Sequence, residues 1–206
     1  MSLPGQDPAI VVKVGGGLTA IAGALDEVCR SIGILGAGRR VVVVPGGGPF
    51  VDAVRGFAKA HGVSADAAHW MAILGMDQYA HALVERIEAA VLVEDPGALA
   101  EALRGPGVAV LAPYRWMRAA DVLPHSWDAT SDSVAAFVAG ALDAERLILV
   151  KPAADSGTGQ VDPCFPGVVP TGLPWTAVAW DRLGAVLGPV NPPPAGPGGS
   201  AGGSSG

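Results

Sequence analysis

The sequence predicts an α/β fold, a three-layer α/β/α sandwich in which helices cover both faces of a mainly parallel central sheet. Aliphatic runs without polar alternation, such as residues 41–44 and 147–150, are typical of strands that are buried on both faces. Between these runs lie longer segments with apolar residues at helical spacing, and this alternation is the order expected of a parallel sheet. The 206 residues are enough for one such domain, which we predict over residues 1–190.

Four short apolar runs are predicted to be strands because glycine, proline or polar residues bound each of them. They are residues 10–14, 40–44, 108–113 and 147–150. Segments with a helical apolar period are predicted to be helices, with Ser64 as an N-cap and Gly62 just after a helix end. The predicted helices are residues 18–34, 50–61, 64–90, 98–103 and 134–142.

Three segments have weaker patterns. The rest of 91–107 and residues 114–121 are predicted to be irregular, the latter as a surface excursion. A final helix or strand pair is expected within 175–187. Residues 191–206 are nearly all Pro, Gly, Ser and Ala, so we predict a disordered tail there.

The composition argues against several classes of function. A formal net charge of −6 and few aromatic residues are not what a nucleic-acid-binding protein requires. No apolar run is long enough to span a bilayer, and the first eight residues lack the basic and apolar regions of a secretory signal. Cys29 and Cys164 have no metal-ligand spacing and indicate a reducing compartment. We therefore predict a cytoplasmic protein with no nucleic-acid partner, no membrane partner and no protein-bound metal site.

Two successive predicted strands each end in three glycines. These are Gly15, Gly16 and Gly17 after the first strand and Gly46, Gly47 and Gly48 after the second. Glycine lets the backbone approach a ligand closely, and the helix that follows the second loop presents free N–H groups to an anion. Strand ends on one edge of a parallel sheet share a crevice, so we expect the two loops to face one phosphate site. The alternative is that glycine serves only the geometry of two strand-to-helix turns.

Lysine is scarce, and two of the three lysines lie at predicted strand ends. Only Lys13, Lys59 and Lys151 are lysines among the 13 basic residues. Lys13 precedes the first glycine loop and Lys151 ends the last clear strand, so both are predicted at the same sheet edge. This favours phosphate binding, although a solvated lysine at a strand end is the alternative for Lys151. The pattern is neither a Walker loop nor a dinucleotide fingerprint, because the required spacings are absent.

Polar side chains cluster before the helix that begins near residue 134. They are His125, Asp128, Thr130, Ser131 and Asp132. One N-cap requires a single such residue, and Thr130 or Ser131 is sufficient for that role. The remaining side chains favour a functional group of residues, with simple helix capping as the alternative.

Three segments together resemble the amino acid kinase superfamily: Lys13 to Gly17, Gly46 to Gly48 and Thr130 to Ser133. The resemblance extends over residues 10–150. Within that superfamily, residues 125–133 and Met76-Asp77 are similar to the aminomethylfuran phosphate kinases of methanofuran biosynthesis, a pathway related to that of methylofuran.

The resemblance implies transfer of the γ-phosphoryl group of ATP, accompanied by Mg²⁺, to a phosphate on a small molecule. It assigns Lys13 to the β- and γ-phosphates, the first glycine loop to the moving phosphoryl group, and the second to the acceptor phosphate. Asp132 would orient the lysines, because an ionised phosphate nucleophile needs no general base. By the same resemblance we expect a homodimer through residues 64–90.

The acceptor side of the predicted site rests on five polar residues. The substrate that the resemblance implies, an aminomethylfuran phosphate, carries an aminomethyl cation. This cation requires a carboxylate, for which Asp77 and Asp128 are candidates, and His125 is a candidate ligand of the acceptor phosphate. Thr130 and Ser131 complete this predicted set.

The sequence departs from the family pattern in its nucleotide half, which is shortened. The usual Thr/Ser-Asp-x-x-Gly turn is replaced by residues 151–157, in which Asp155 is the remaining acidic candidate. Lys151 is predicted to stand in for a second phosphate-binding lysine. Two alternatives remain open: a kinase-like subunit that binds a ligand without catalysis, and a kinase for another small phosphate.

Overall fold

The computed structural model describes residues 8–153 and 161–187, and its centre is one six-stranded sheet. The strands are β1 Ile10–Val14, β2 Arg40–Pro45, β3 Ala90–Val93, β4 Gly107–Leu111, β5 Arg146–Lys151 and β6 Trp175–Ala179. The helices are α1 Ala24–Gly36, α2 Gly48–His61, α3 Ala65–Val84, α4 Pro96–Ala102, α5 Tyr114–Ala120, α6 Ser131–Ala141, α7 Phe165–Val168 and α8 Leu183–Leu187. Short 3-10 turns occupy Gly16–Ala20 and Trp180–Arg182.

The sheet order is β3-β4-β2-β1-β5-β6, and every neighbouring pair is parallel. β1 is central, so Lys13 pairs in register with Val44 of β2 on one side and Leu149 of β5 on the other. Because the aliphatic side chains of these strands alternate between the two faces, each face supports its own buried cluster. The predicted three-layer sandwich with a parallel sheet is confirmed.

One core cluster joins the sheet to α4, α5, α6 and α7, and the other joins it to α1 and α8. Helix α3 contributes to both: Trp70 and Met76 pack in the first cluster, whereas Tyr79 and Leu83 pack in the second. Ser64 caps α3 by accepting a hydrogen bond from the amide of Ala67, as its sequence position predicts.

Two segments differ from the sequence prediction. The helix predicted to reach residue 90 ends at Val84, and Ala89 (φ 55°) turns the chain into the edge strand β3. Strand β3 pairs only with β4 and leaves Val91 half exposed, so it lacks the full burial of the central strands although its four residues are apolar. The predicted surface excursion at 114–121 is instead α5, which buries Trp116 and Met117.

The division into residues 1–190 and a tail stays a prediction, since the tail lies outside the described residues. Within residues 8–153 and 161–187, no helix is both long and apolar enough to cross a membrane.

Candidate functional site

The centre of the candidate site is a buried carboxylate between two lysines. Asp132 lies in the first turn of α6, with Oδ1 3.0 Å from Nζ of Lys13 and Oδ2 2.6 Å from Nζ of Lys151. Lys13 projects from β1 and Lys151 ends β5, so adjacent parallel strands present both ammonium groups at their carboxyl edge. The three side chains carry a formal net charge of +1.

Burial and neighbouring charges have opposite effects on the pKa values of Lys13 and Asp132. Lys13 and Asp132 are 5% and 3% exposed. Burial lowers the pKa of Lys13, and the charge of Asp132 opposes this effect. Burial by itself raises the pKa of Asp132, but the charges of Lys13 and Lys151 hold that pKa below its ordinary value. The arrangement therefore keeps an ionised carboxylate inside the protein and fixes both lysines beside each other.

The two glycine loops lie against each other next to these lysines. The amide of Gly15 donates to the carbonyl of Val150 (3.0 Å), and the amide of Gly46 donates to the carbonyl of Val14 (2.8 Å). A Cβ on Gly16 would lie only 2.2 Å from the amide nitrogen of Gly48, so a side chain has no room at this contact. Gly48 has φ 56° and begins α2, where glycine adopts the left-handed conformation without strain.

A cavity of about 260 Å³ opens beside the loops. Its glycine end is formed by Gly16, Gly17, Gly47 and Gly48. Its apolar lining residues are Val51, Ala65, Ala72, Ile73, Met76, Leu123, Ala129 and Val134. Its polar and aromatic lining residues are Asp52, Arg55, His69, Ser126, Trp127, Thr130 and Ser131. The cavity thus joins a glycine end to a mainly apolar body.

Asp162 holds the polar segment at the start of α6, a role that sequence analysis missed. Its Oδ2 accepts hydrogen bonds from the amide of Thr130 (2.9 Å), the hydroxyl of Thr130 (2.8 Å) and the amide of Ser133 (3.0 Å). Its Oδ1 accepts from the hydroxyl of Ser133 and from the amide of Phe165 (2.9 Å). Thr130 is the N-cap residue, yet its side chain makes no cap bond of its own. The carboxylate that satisfies this helix end comes from 32 residues further along the chain, where no local pattern indicates it.

Three residues that were predicted to bind the acceptor molecule do not line the cavity: Asp77, Asp128 and His125. Asp77 accepts a hydrogen bond from the amide of Tyr114 (3.0 Å) and is not a lining residue. Asp128 is exposed and is also outside the lining.

His125 bonds through Nδ1 to Asp66 and through Nε2 to Asp121, so neither nitrogen points to a ligand. The hydrogen bonds to Asp121 and Asp66 raise the pKa of His125, and its ring stacks on that of His69 at 4.3 Å. Thr130 and Ser131, in contrast, do line the cavity.

Two charged residues of the lining, Asp52 and Arg55, were not predicted. They lie on α2 in the turns that follow the second glycine loop, and this spacing from Gly48 is the sequence signal that identifies them. Asp155, the predicted nucleotide-side acid, lies outside the described residues. Among residues 8–153 and 161–187, no three His, Cys, Asp or Glu side chains cluster in a way that could hold a metal ion.

The fold and the site are those of a three-layer α/β protein with two lysines and two apposed glycine loops at one sheet edge. The chain belongs to the amino acid kinase family, whose sequence model matches residues 8–153.

One curated relative is the [5-(aminomethyl)furan-3-yl]methyl phosphate kinase of Methanocaldococcus jannaschii, 30% identical over 141 residues. That alignment covers 68% of this chain and 63% of the relative, so this chain matches less than two thirds of the relative's length.

Two solved structures have the same fold. The uridylate kinase of Archaeoglobus fulgidus superposes with a TM-score of 0.55 at 19% identity, covering 74% of this chain and 69% of that one. The UMP kinase of Ureaplasma parvum superposes with a TM-score of 0.55 at 16% identity, covering 73% and 71%.

Proposed function

We propose that this protein is an ATP-dependent kinase that phosphorylates a phosphate group on a small molecule. We propose as acceptor [5-(aminomethyl)furan-3-yl]methyl phosphate, which would become the diphosphate in methanofuran or methylofuran biosynthesis. The observation that carries the proposal is the contact of Asp132 with both Lys13 and Lys151 beside the glycine loops. The name of the relative from Methanocaldococcus jannaschii supports the choice of acceptor.

The lysines and the first glycine loop form the donor side of the proposed site. A transferring phosphoryl group spreads negative charge over its equatorial oxygens, so its transfer depends mainly on positioning and on positive charge. Lys13 and Lys151 supply that charge, and Asp132 holds the two ammonium groups in place. Gly16 and Gly17 line the end of the cavity where the phosphoryl group would move. ATP supplies the phosphoryl group when it binds, together with its Mg²⁺.

The second glycine loop and α2 form the acceptor side. The N-terminus of a 14-residue helix attracts an anion, and Gly47 and Gly48 lie at that end of the cavity. Thr130 and Ser131 line the same cavity; Ser131 offers a hydroxyl group, whereas the hydroxyl of Thr130 already donates to Asp162. The apolar walls suit a small ring, and an ionised acceptor phosphate attacks without a general base.

A kinase-like subunit that binds a ligand without catalysis is the second candidate. After β5, the described residues contribute only β6, a 3-10 turn and the short helices α7 and α8, which is a small nucleotide side. The predicted homodimer and the predicted cytoplasmic location stay predictions.

The deciding experiment is ³¹P NMR of the purified protein with MgATP and the aminomethylfuran phosphate. We expect ADP and the two coupled signals of a diphosphate monoester. Lys13→Met keeps the apolar stem of this side chain without its charge and should lower kcat by about 10³-fold, the scale measured for loss of one transition-state donor. An unchanged kcat in Lys13→Met would show that Lys13 does not bind the donor phosphates.

Failure of the wild-type reaction has two distinguishable meanings. Tight ATP binding without turnover would point to another phosphate acceptor. Absence of ATP binding would favour the ligand-binding subunit.

A further inference from the structure

The cavity lining contains one carboxylate, that of Asp52, which is exposed and not engaged by another side chain of the described residues. Among its lining residues Asp52 is the sole acidic side chain, and it lies on α2 one turn after Gly48. Within the described residues, the Asp52 carboxylate makes no hydrogen bond and no ion pair, although eleven ion pairs occur elsewhere. Its charge is therefore available to a molecule in the cavity.

The neighbouring lining groups do not neutralise this carboxylate. The guanidinium carbon of Arg55 lies 4.7 Å from the ring centroid of Trp127, so this cation stacks on the indole and forms no ion pair with Asp52 in the described part of the chain. His69 is buried, and burial lowers its pKa, which favours the neutral imidazole near pH 7. Asp52 is the negative group of a cavity whose glycine end suits an anion.

A negative side chain at this place opposes the binding of an acceptor that has phosphate as its only charged group. One helical turn is about 5.4 Å, a distance at which like charges in a partly closed site still repel. The repulsion becomes attraction if the same acceptor carries a cation about one turn away from its phosphate. Asp52 therefore favours an acceptor with opposite charges at its two ends.

We propose that Asp52 binds a cationic amine of the acceptor and selects for amine-bearing phosphates, an inference that rests on the proposed kinase function. Asp52 takes the role that sequence analysis assigned to Asp77 or Asp128. Those two carboxylates lie outside the cavity lining, and Asp77 already accepts a hydrogen bond from Tyr114. The apolar lining residues, such as Val51 and Met76, accommodate the body of the acceptor.

Selectivity between two acceptors tests the proposal. We would measure kcat/KM with [5-(aminomethyl)furan-3-yl]methyl phosphate and with its analogue that has methyl in place of aminomethyl. The wild type should prefer the amine by about 10- to 100-fold, the discrimination expected of one charge-assisted hydrogen bond. Asp52→Asn should abolish this preference mainly by raising KM for the amine, and should leave KM for ATP unchanged. Asp52→Glu keeps the charge and should restore part of the preference.

The controls separate this inference from the proposed function. Asp77→Asn and Asp128→Asn remove the other two candidate carboxylates and should leave the ratio between the two acceptors as in the wild type. Loss of the ratio in either of them, with Asp52→Asn unaffected, would overturn the inference while the kinase function stands. Equal turnover of both acceptors by the wild type would also overturn it. Absence of turnover with either acceptor would instead refute the proposed function.

Discussion

Asp132 is the residue on which the geometry of the two lysines depends. Two ammonium groups repel each other, but here both lie within 3.0 Å of one carboxylate, which offsets the repulsion. A buried carboxylate is in turn costly unless it is paired, and removing one partner leaves the other uncompensated. The three side chains therefore stabilise one another and together carry a formal net charge of +1.

Asp77 on α3 is a titratable group whose ionisation makes the stability of the protein depend on pH. Burial raises its pKa to about 6 from the ordinary value of 3.8, although the hydrogen bond from Tyr114 opposes this shift. Because the folded-state pKa is the higher one, the contribution of Asp77 to stability is fully present below about pH 4. It is lost as the pH rises through about 6.

We predict that Asp77→Asn stabilises the protein above pH 6, because Asn keeps the acceptor for Tyr114 and cannot ionise. The difference between the two pKa values corresponds to at most about 3 kcal/mol, and partial exposure reduces the expected gain to about 1 kcal/mol. Urea unfolding at pH 4 and pH 8 measures this effect, which should be small at pH 4. An equal gain at both values would mean that ionisation of Asp77 is not its cause.

Sequence analysis anticipated some site residues and missed others for physical reasons. Lys13 and Lys151 were predicted at one sheet edge because parallel strands share their carboxyl ends, and the structure brings them together through Asp132. The contacts of Asp162 with Thr130 and Ser133 depend on tertiary folding across about 30 residues, which no local pattern encodes. His125 was assigned to a phosphate, but the nearby Asp121 and the distant Asp66 bind its two nitrogens.

The two glycine loops act as one element because their backbones are in contact. A Cβ on Gly16 would meet the amide nitrogen and Cα of Gly48 at 2.2 and 2.6 Å, and backbone cannot move aside as a flexible side chain can. Gly56 in the middle of α2 is the opposite case, since an added Cβ there would meet nothing within 4 Å.

We predict opposite effects of alanine at these two glycines. Gly16→Ala should separate the loops, lower the stability by about 2 kcal/mol and abolish phosphate binding, because overpacking against fixed atoms costs that much. Gly56→Ala should raise stability by about 0.5–1 kcal/mol, since alanine is the better helix former. Thermal unfolding measures the stability of the two variants, and the same experiment with MgATP measures phosphate binding. If the Gly16→Ala variant unfolds at the same temperature as the wild type, the two loops can separate without loss of stability.

The start of α6 depends on Asp162 for its hydrogen bonds. Five donors from Thr130, Ser133 and Phe165 converge on one carboxylate, so its two oxygens satisfy polar groups at the start of α6 and at the start of α7. The same contacts fix the position of Asp132 and of the cavity residues Thr130 and Ser131.

We predict that Asp162→Asn destabilises the protein by about 3 kcal/mol, because an NH₂ group replaces an acceptor among donors and leaves them unpaired. Chemical denaturation measures the change. Asp128→Asn is the matched control: its side chain is exposed and makes no hydrogen bond in the described part of the chain, so its effect should stay within about 0.5 kcal/mol. Similar stabilities of the two variants would show that the Asp162 contacts do not hold α6.

At the level of elements, the central strands were predictable and the edge strand β3 was not. β1, β2, β4 and β5 are buried on both faces and have continuous aliphatic runs, whereas β3 is a four-residue edge strand that follows helix-favouring residues. Helix α5 was missed because its apolar residues Trp116 and Met117 are too few to define a period over seven residues.

The topology of the whole sheet creates the site from distant segments. The chain places β2 on one side of β1 and returns with β5 on the other, so the loops after β1 and β2 and the end of β5 lie side by side. Ligands of such sheets bind at the carboxyl ends where the strand order reverses. The alternation of strands and helices predicted that these segments share one sheet edge, whereas the strand order is known only from the structure.

Nucleotide binding by the whole molecule gives the last prediction. If the lysines at this edge bind the phosphates of ATP, MgATP at 100 times its dissociation constant should add about 2.7 kcal/mol of stability. For a protein of this size that gain raises Tm by about 5–10 °C. Lys151→Met should abolish most of the rise because it removes one of the two ammonium groups. Lys59→Met is the control: Lys59 is exposed in the last turn of α2 and is not one of the two lysines that contact Asp132, so its loss should leave the rise intact. A full rise in Lys151→Met would place the nucleotide elsewhere, and no rise in the wild type would favour a subunit without catalysis.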